Sequence, residues 1–235
     1  MLSLIGLLKF WNRMTCDVWA HVTELAAHLE QQFENTGSRI ASDDNYAWHN
    51  SLFTSNTYRR AHVEIVDNRI SHKIYILHCT IFPHTDDDSP IWGFDIVCGP
   101  NKITGAFHDF SSVDAVVHPM QQWFANTTSE LTWNKPRALP EWAQQIFSAN
   151  MVAVGNINTE SEITALCQLA KQSLAYYLSN VGLSCSEDKD YTAGQNRYCY
   201  WQKQNPHVVR SMVSMGIPEP IILQFVDKIL FPEIN

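Results

Sequence analysis

Lys73-Ile74-Tyr75-Ile76-Leu77-His78-Cys79-Thr80-Ile81-Phe82, a polar break from Pro83 to Pro90, then Ile91-Trp92-Gly93-Phe94-Asp95-Ile96-Val97-Cys98: this stretch decides the fold. Both runs are β-branched and aromatic, of strand length, and bounded by turn residues. In the first run Ile74, Ile76, His78, Thr80 and Phe82 share one face, against Tyr75, Leu77, Cys79 and Ile81. In the second, Ile91, Gly93, Asp95 and Val97 oppose Trp92, Phe94, Ile96 and Cys98. Strands apolar on both faces are covered on both sides. A loop at 83–90 sets Phe82 opposite Ile91 in an antiparallel pair. The same register sets His78 opposite Asp95, with β-carbons about 5 Å apart. A slip of one residue would put them on opposite faces.

Working outward, residues 61–67 and 102–110 have the same strand character, and Gly99-Pro100-Asn101 makes a tight turn. A three-residue turn there sets Thr104 opposite Ile96, off the face of Asp95. Residues 1–34 place Leu7, Leu8, Trp11, Trp19, Val22, Leu25, Leu29 and Phe33 mostly at three- and four-residue steps, the spacing of an amphipathic helix. The start, Met1 to Lys9, has the apolar character of a short signal segment but lacks basic residues before it and a small-residue cleavage site after it. It is read as part of that helix. Residues 35–57 read as polar and irregular. Beyond the strands the pattern is helical: a start at Ser111 to Asp114, another at Pro140-Glu141-Trp142, and a capping box at Thr159 to Glu162. That box opens a helix with Ile163, Leu166, Cys167, Ala170, Leu174, Tyr177 and Leu178 on one face. Residues 195–215 and 218–231 read as two closing helices. Helices, consecutive strands, then helices imply an α+β fold, an antiparallel sheet covered by helices. With no repeat and no linker, residues 1–235 are read as one domain.

Composition narrows the function class. The chain has 235 residues, 11 Phe, 8 Trp and 8 Tyr, only 17% charged residues and a net charge of −8. Such a chain has material for a core and is not disordered. The acidic balance argues against nucleic acid as partner, because phosphate binding needs Lys/Arg clusters. No apolar run reaches the ~18 residues of a membrane span. The six cysteines show no CxxC and no regular spacing, so free thiols of a cytoplasmic protein are expected.

The polar residues inside the strands carry the chemistry. A facing His78 and Asp95 is either a structural pair that satisfies its own desolvation or a coupled proton-donor pair. The strand at 61–67 alternates His62, Glu64 and Val66 against Val63 and Ile65, the pattern of a half-exposed strand, which puts Glu64 at the surface. No phosphate loop, dinucleotide fingerprint or nucleophile elbow is present. His72, His78 and His84 lack metal-ligand spacing, so no metal site is expected. Cys79 and Cys98 sit on apolar strands that disfavour a thiolate.

These residues also carry a resemblance. His78-Cys79-Thr80-Ile81-Phe82-Pro83, Pro90-Ile91-Trp92-Gly93-Phe94-Asp95-Ile96-Val97, Gly99-Pro100 and Ile103 through Ser111 resemble the core of the ferredoxin-dependent bilin reductases. The likeness extends through Arg60-Ala61-His62-Val63-Glu64, Arg137 to Trp142 and Lys228-Ile229-Leu230-Phe231. It implies a three-layer α/β/α sandwich with a biliverdin IXα pocket between the sheet and the C-terminal helices. It implies an enzyme that carries no cofactor of its own. Electrons would arrive singly from reduced [2Fe-2S] ferredoxin, and four-electron reduction would pass through bilin radicals to phycocyanobilin or phycoerythrobilin. By position, Asp95 would be the central proton donor, His78 its partner, Glu64 a donor toward the D-ring vinyl and His62 a supporting residue. Arg137 would hold a propionate, with Thr104 standing where the family often has serine. Asn205 falls where some relatives place a second catalytic aspartate, and His207 belongs to the same substrate-binding segment.

The resemblance further implies a cytoplasmic monomer, with no membrane or nucleic-acid partner. Because ferredoxins are acidic, docking on this acidic chain calls for a local basic patch. Lys102, Lys135, Arg137, Arg197, Lys203 and Arg210 are its candidates. The rival from another class is a bilin-binding or bilin-transfer protein without redox activity, which would bind biliverdin and leave its spectrum unconverted.

Overall fold

The structure is a computed structural model that describes residues 17–45, 47–185 and 188–235. Helix α1 (Val18–Thr36) opens it, capped by Asp17, whose side chain accepts from the Ala20 N–H. Seven strands follow: β1 (Ser38–Asn45), β2 (Trp48–Thr54), β3 (Tyr58–Asn68), β4 (Ile74–Pro83), β5 (Ile91–Cys98), β6 (Ile103–Ser111) and, after two helices, β7 (Val152–Ile157). They form one antiparallel sheet in sequence order. The intervening helices are α2 (Pro119–Thr128) and α3 (Glu141–Gln144); α4 (Glu160–Leu178), α5 (Thr192–Gln202), α6 (Pro206–Ser214) and α7 (Glu219–Phe225) come after, α7 running into a π-helical turn, Val226–Leu230.

The pairing of β4 with β5 has the register expected from sequence, His78 opposite Asp95. The expected pairing of Thr104 with Ile96 is corrected. A bulge between Val97 and Cys98 sets Ile96 opposite Ala106 and Asp95 opposite Phe107. The stretch 35–57 is not irregular: it holds β1 and β2, whose polar residues hid them. β7 was likewise unforeseen in a half read as helical. The first expected helix after the strands starts at His118 rather than at Ser111, because Pro119 suits the first helical turn and the His118 ring accepts from Met120. The helix read over 195–215 breaks at Lys203 to Asn205, where Pro206 cannot continue it. The expected reading of residues 1–16 lies outside the described residues.

Alternation along the strands builds two cores. One face presents Val63, Leu77, Cys79, Trp92, Phe94, Ile96 and Phe110 to α1, α2 and α4. Here α1 contributes Val22, Leu25, Leu29 and Phe33, all fully buried at helical spacing. Each such side chain is worth about 1.5–3 kcal/mol. The other face presents Trp48, Val66, Phe82 and Ile91 to the C-terminal helices, with Tyr198, Met212, Ile222, Phe225 and Phe231. This gives the three layers, helix, sheet, helix. Both sheet edges are guarded. β1 is polar and mostly exposed, and β7 is capped by the segment 135–137, where Arg137 N–H donates to the Ala153 carbonyl at 2.8 Å and Gly155 N–H to Lys135 at 3.0 Å.

The first core contains one polar knot. His108 contacts the Gly93 carbonyl through Nδ1 at 2.7 Å and the Ser173 hydroxyl through Nε2 at 2.7 Å, while the Trp92 indole donates to the same hydroxyl at 3.2 Å. Ser173→Ala would leave the His108 and Trp92 nitrogens buried and unpaired. It is expected to cost about 2 kcal/mol in urea unfolding, with a loss under 0.5 kcal/mol refuting the knot's role.

Candidate active site

The register makes a single transverse row on the face beneath the C-terminal helices. Asn50 pairs with Glu64, Glu64 with His78, His78 with Asp95, and Asp95 with Phe107. The next row holds Leu52, His62, Thr80, Gly93 and Asp109. Side chains far apart in sequence thus become neighbours from five different strands. Glu64, expected at the surface, is only 4% exposed. The alternation that suggested exposure is real, but the second face is covered by helices rather than water.

Within the rows, the Trp48 indole donates to Glu64 Oε1 at 2.8 Å. Glu64 Oε2 lies 4.0 Å from His78 Nδ1. His62 Nε2 and Asn50 Oδ1 are 3.0 Å apart. The His62 and His78 rings lie 6.2 Å apart. Burial pushes the Glu64 carboxyl up to about 8, against the Trp48 hydrogen bond that pulls it down. Burial also pushes Asp95 up to about 7 and His78 down to about 4, and holds His62 well below its ordinary value. Near neutral pH the row therefore combines protonated or half-protonated carboxyls with neutral imidazoles, a local store of protons. Among the described residues, three buried polar atoms here have no hydrogen-bond partner: His62 Nδ1, His78 Nδ1 and Thr80 Oγ1. Buried orphans are rare, and three on one face point to a ligand that pairs with them.

Above the row lie the aromatic rings of the C-terminal segment. Phe225 sits 4.3 Å from Trp48 and 5.9 Å from His62, and Phe231 sits 5.9 Å from His78. Arg60 donates to the carbonyl of Ile229 and ties the π-helical turn to β3.

Arg137 lies at the far end of the row. Its guanidinium donates to the Thr104 carbonyl at 2.7 Å and stands 5.9 Å from the Phe107 ring centre. It fits there because Gly105 and Gly155, paired across β6 and β7, have no side chains. A β-carbon on Gly155 would come within 2.3 Å of Arg137 Nε. A pocket of about 460 Å³, lined by Arg137, Leu139, Phe147, Ser148 and Met151 among others, opens beside it. Asp109 fixes that pocket's wall by accepting from the Ser148 N–H at 2.9 Å and from its hydroxyl.

Not every residue singled out from the sequence joins this group. The Thr104 hydroxyl donates to the Val97 carbonyl at 2.8 Å, so its contribution runs through its own carbonyl to Arg137. Asn205 caps α6 by accepting from the His207 N–H. It lines a separate pocket of about 220 Å³ with Gln202, Val209 and Asp227. His207 is exposed. Trp48 and Asn50 were missed, because the segment 48–54 mixes apolar and polar residues without regular alternation. Among the described residues no three His, Cys, Asp or Glu side chains cluster as metal ligands, and no helix is long and apolar enough to cross a membrane.

The family model for ferredoxin-dependent bilin reductase matches residues 13–232. This chain belongs to the ferredoxin-dependent bilin reductases. It is similar to the phycocyanobilin:ferredoxin oxidoreductase of Gloeobacter violaceus, 26% identical over 191 residues that cover 77% of this chain and 72% of the relative. The enzyme of the same name from Synechococcus sp. strain CC9605 is 29% identical over 189 residues, covering 77% and 74%. The solved structure of PcyX superposes with a TM-score of 0.68 at 25% identity, over 91% of this chain and 99% of that one. Tomato phytochromobilin synthase, solved in complex with biliverdin, shares the fold with a TM-score of 0.67 at 15% identity, over 90% and 82%. The reductase is a ferredoxin-dependent bilin oxidoreductase with the α/β/α fold that its sequence implied.

The raised carboxyls carry a stability cost of predictable sign. Asp95 ionises freely near 4 when unfolded but holds its proton to about 7 when folded. Stability is therefore lost as pH rises from about 4 through 7. Asp95→Asn is expected to raise unfolding free energy by about 1–3 kcal/mol at pH 8 and to change it little at pH 4. Equal effects at both pH values, in urea titrations, would contradict a buried protonated Asp95.

Proposed function

We propose that this reductase converts biliverdin IXα to a phycobilin by four single-electron transfers from reduced ferredoxin, with four protons delivered through the Asp95, His78 and Glu64 row. The observation that carries the proposal is that row: two carboxyls with raised proton affinity flanking a neutral histidine, beneath an aromatic cover. Reduction puts electrons into a large conjugated system and makes it more basic. A buried acid that titrates near the working pH is then well matched to protonate it. Asp95 at the centre would protonate the bilin core, with His78 passing protons to it. Glu64, one strand further, would serve the D-ring end and His62 would support it. Each reduction runs through a bilin radical, since the donor carries one electron at a time.

Arg137 is suited to a propionate, because a guanidinium fork pairs with a carboxylate. The Thr104 carbonyl orients that fork. Asn205, which carries no acid and lines a separate pocket, and His207, which is exposed, would meet substrate only outside the row. The carboxyl of Glu64 in the row, with no acid at Asn205, favours phycocyanobilin over phycoerythrobilin as product. An acidic donor would dock on the exposed cations Lys102, Lys135, Arg137, Arg197 and Arg210, none of which has an ion-pair partner among the described residues. Lys203 is spent, held by Asp227 at 2.7 Å and Glu233 at 2.9 Å. A cytoplasmic monomer is the working form in this reading.

Anaerobic mixing with biliverdin and reduced ferredoxin tests the proposal. Absorbance is expected to pass through radical intermediates to a phycobilin, identified by chromatography against phycocyanobilin and phycoerythrobilin standards. Binding without spectral conversion would instead identify a bilin carrier. Asp95→Asn is expected to bind biliverdin with affinity within about threefold of the wild type and to stall as a radical visible by electron paramagnetic resonance. Normal turnover would remove Asp95 from its central role. Gly155→Ala, which displaces Arg137, is expected to weaken biliverdin binding about tenfold, the scale of one charge-assisted pair. Unchanged affinity in a fluorescence titration would remove Arg137 from the propionate site.

A further inference from the structure

Glu64 has two oxygens in different surroundings, and the difference comes from a residue outside the strand that carries it. Oε1 accepts the Trp48 indole N–H at 2.8 Å. Oε2 points along the row toward His78 Nδ1, 4.0 Å away, an atom that has no hydrogen-bond partner among the described residues. An indole nitrogen can only donate. The carbonyl oxygen of a carboxylic acid accepts well and its hydroxyl oxygen poorly, so the proton of neutral Glu64 settles on the oxygen that the indole does not hold.

We propose that Trp48 is a positioning residue that directs the Glu64 proton onto Oε2, the oxygen facing His78 and the bilin side of the row. The inference rests on the reading of Glu64 as a proton donor and adds the device that aims it. Trp48 is well placed to act as a fixed support. It is 5% exposed, it packs edge-on against Phe225 at 4.3 Å, and it sits on β2 opposite Val66, two residues along from Glu64. Without the indole, either oxygen is free to carry the proton. The same hydrogen bond stabilises the carboxylate, so Trp48 also limits how far burial raises the Glu64 proton affinity.

The other groups bearing on Glu64 are few. Asp95 lies two strands away and raises its proton affinity. His78 is its direct neighbour, His62 lies two residues along β3, and Asn50 is its uncharged partner on β2. From the C-terminal segment the nearest contributors are the rings of Phe225 and Phe231, against Trp48, His62 and His78. Arg60, on the same strand, is engaged with the carbonyl of Ile229.

Infrared difference spectroscopy across a pH titration tests this on the ligand-free protein. The carboxylic C=O band of Glu64 is assigned by its loss in Glu64→Gln, and that of Asp95 by Asp95→Asn. Trp48→Phe keeps a ring against Phe225 and deletes the N–H together with the smaller ring of the indole. It is expected to move the Glu64 band to higher frequency and its titration midpoint up by about one pH unit. The basic limb of the kcat–pH profile should follow, while biliverdin affinity stays within about twofold. An unmoved band and midpoint would overturn the proposal. Should Trp48→Phe fail to fold, the wild-type indole ¹⁵N–H resonance of Trp48 is the second readout. It is expected to titrate with the Glu64 midpoint and to lose that titration in Glu64→Gln; a flat resonance would overturn the proposal equally. Because both measurements need no bilin, failure of the proposed catalytic reading appears as absent turnover with the infrared coupling intact.

Discussion

Two carboxyl groups held in one row of a buried sheet are tolerated only if they keep their protons or find cations. Among the described residues Glu64 and Asp95 have no cation beside them; they have His78 between them, and burial keeps that ring neutral. The rest of the molecule follows from keeping this row dry. The sheet supplies the register that lines up five strands. The C-terminal helices supply an apolar roof, and the opposite core, with α1, α2 and α4, stiffens the floor. The roof is what separates this row from an ordinary polar stripe on a half-exposed sheet, where the same carboxyls would ionise and the same histidines would take up protons.

Much of this was legible in the sequence, and the reason is geometric. Two apolar-on-both-sides strands with one His and one Asp fix their own register, because any other pairing strands a polar group in the wrong layer. The capping box at Thr159 and the spacing along α1 were equally readable, since each is a local signal. Glu64 was misread because alternation shows which residues share a face, and what covers that face is decided by helices more than a hundred residues later. β1, β2 and β7 were missed for a related reason. The residues of β1 and β2 are mixed in polarity because they border the edge or the site, so their strand character comes from pairing partners, while β7, Val-Ala-Val-Gly-Asn-Ile, is a six-residue run too short to stand out.

The Thr104 region shows how a single extra residue reorganises a site. A regular hairpin would have set Thr104 beside Ile96. The bulge turns its hydroxyl back onto the Val97 carbonyl and aims its own carbonyl at Arg137. Bulges commonly re-aim groups next to active sites. Here the effect is joined to a pair of glycines, so the arginine lies flat on the sheet instead of standing away from it.

The aromatic roof has a thermodynamic consequence. Phe225 and Phe231 cover the row. On the proposed reading, a flat tetrapyrrole resting on the row would replace one apolar cover with another. Much of its own surface leaves water, but the row does not dry out for the first time on binding. The heat-capacity change of association therefore reports mainly the ligand's surface and the displaced rings, and it is smaller than the contact area would give for an open, wet cleft.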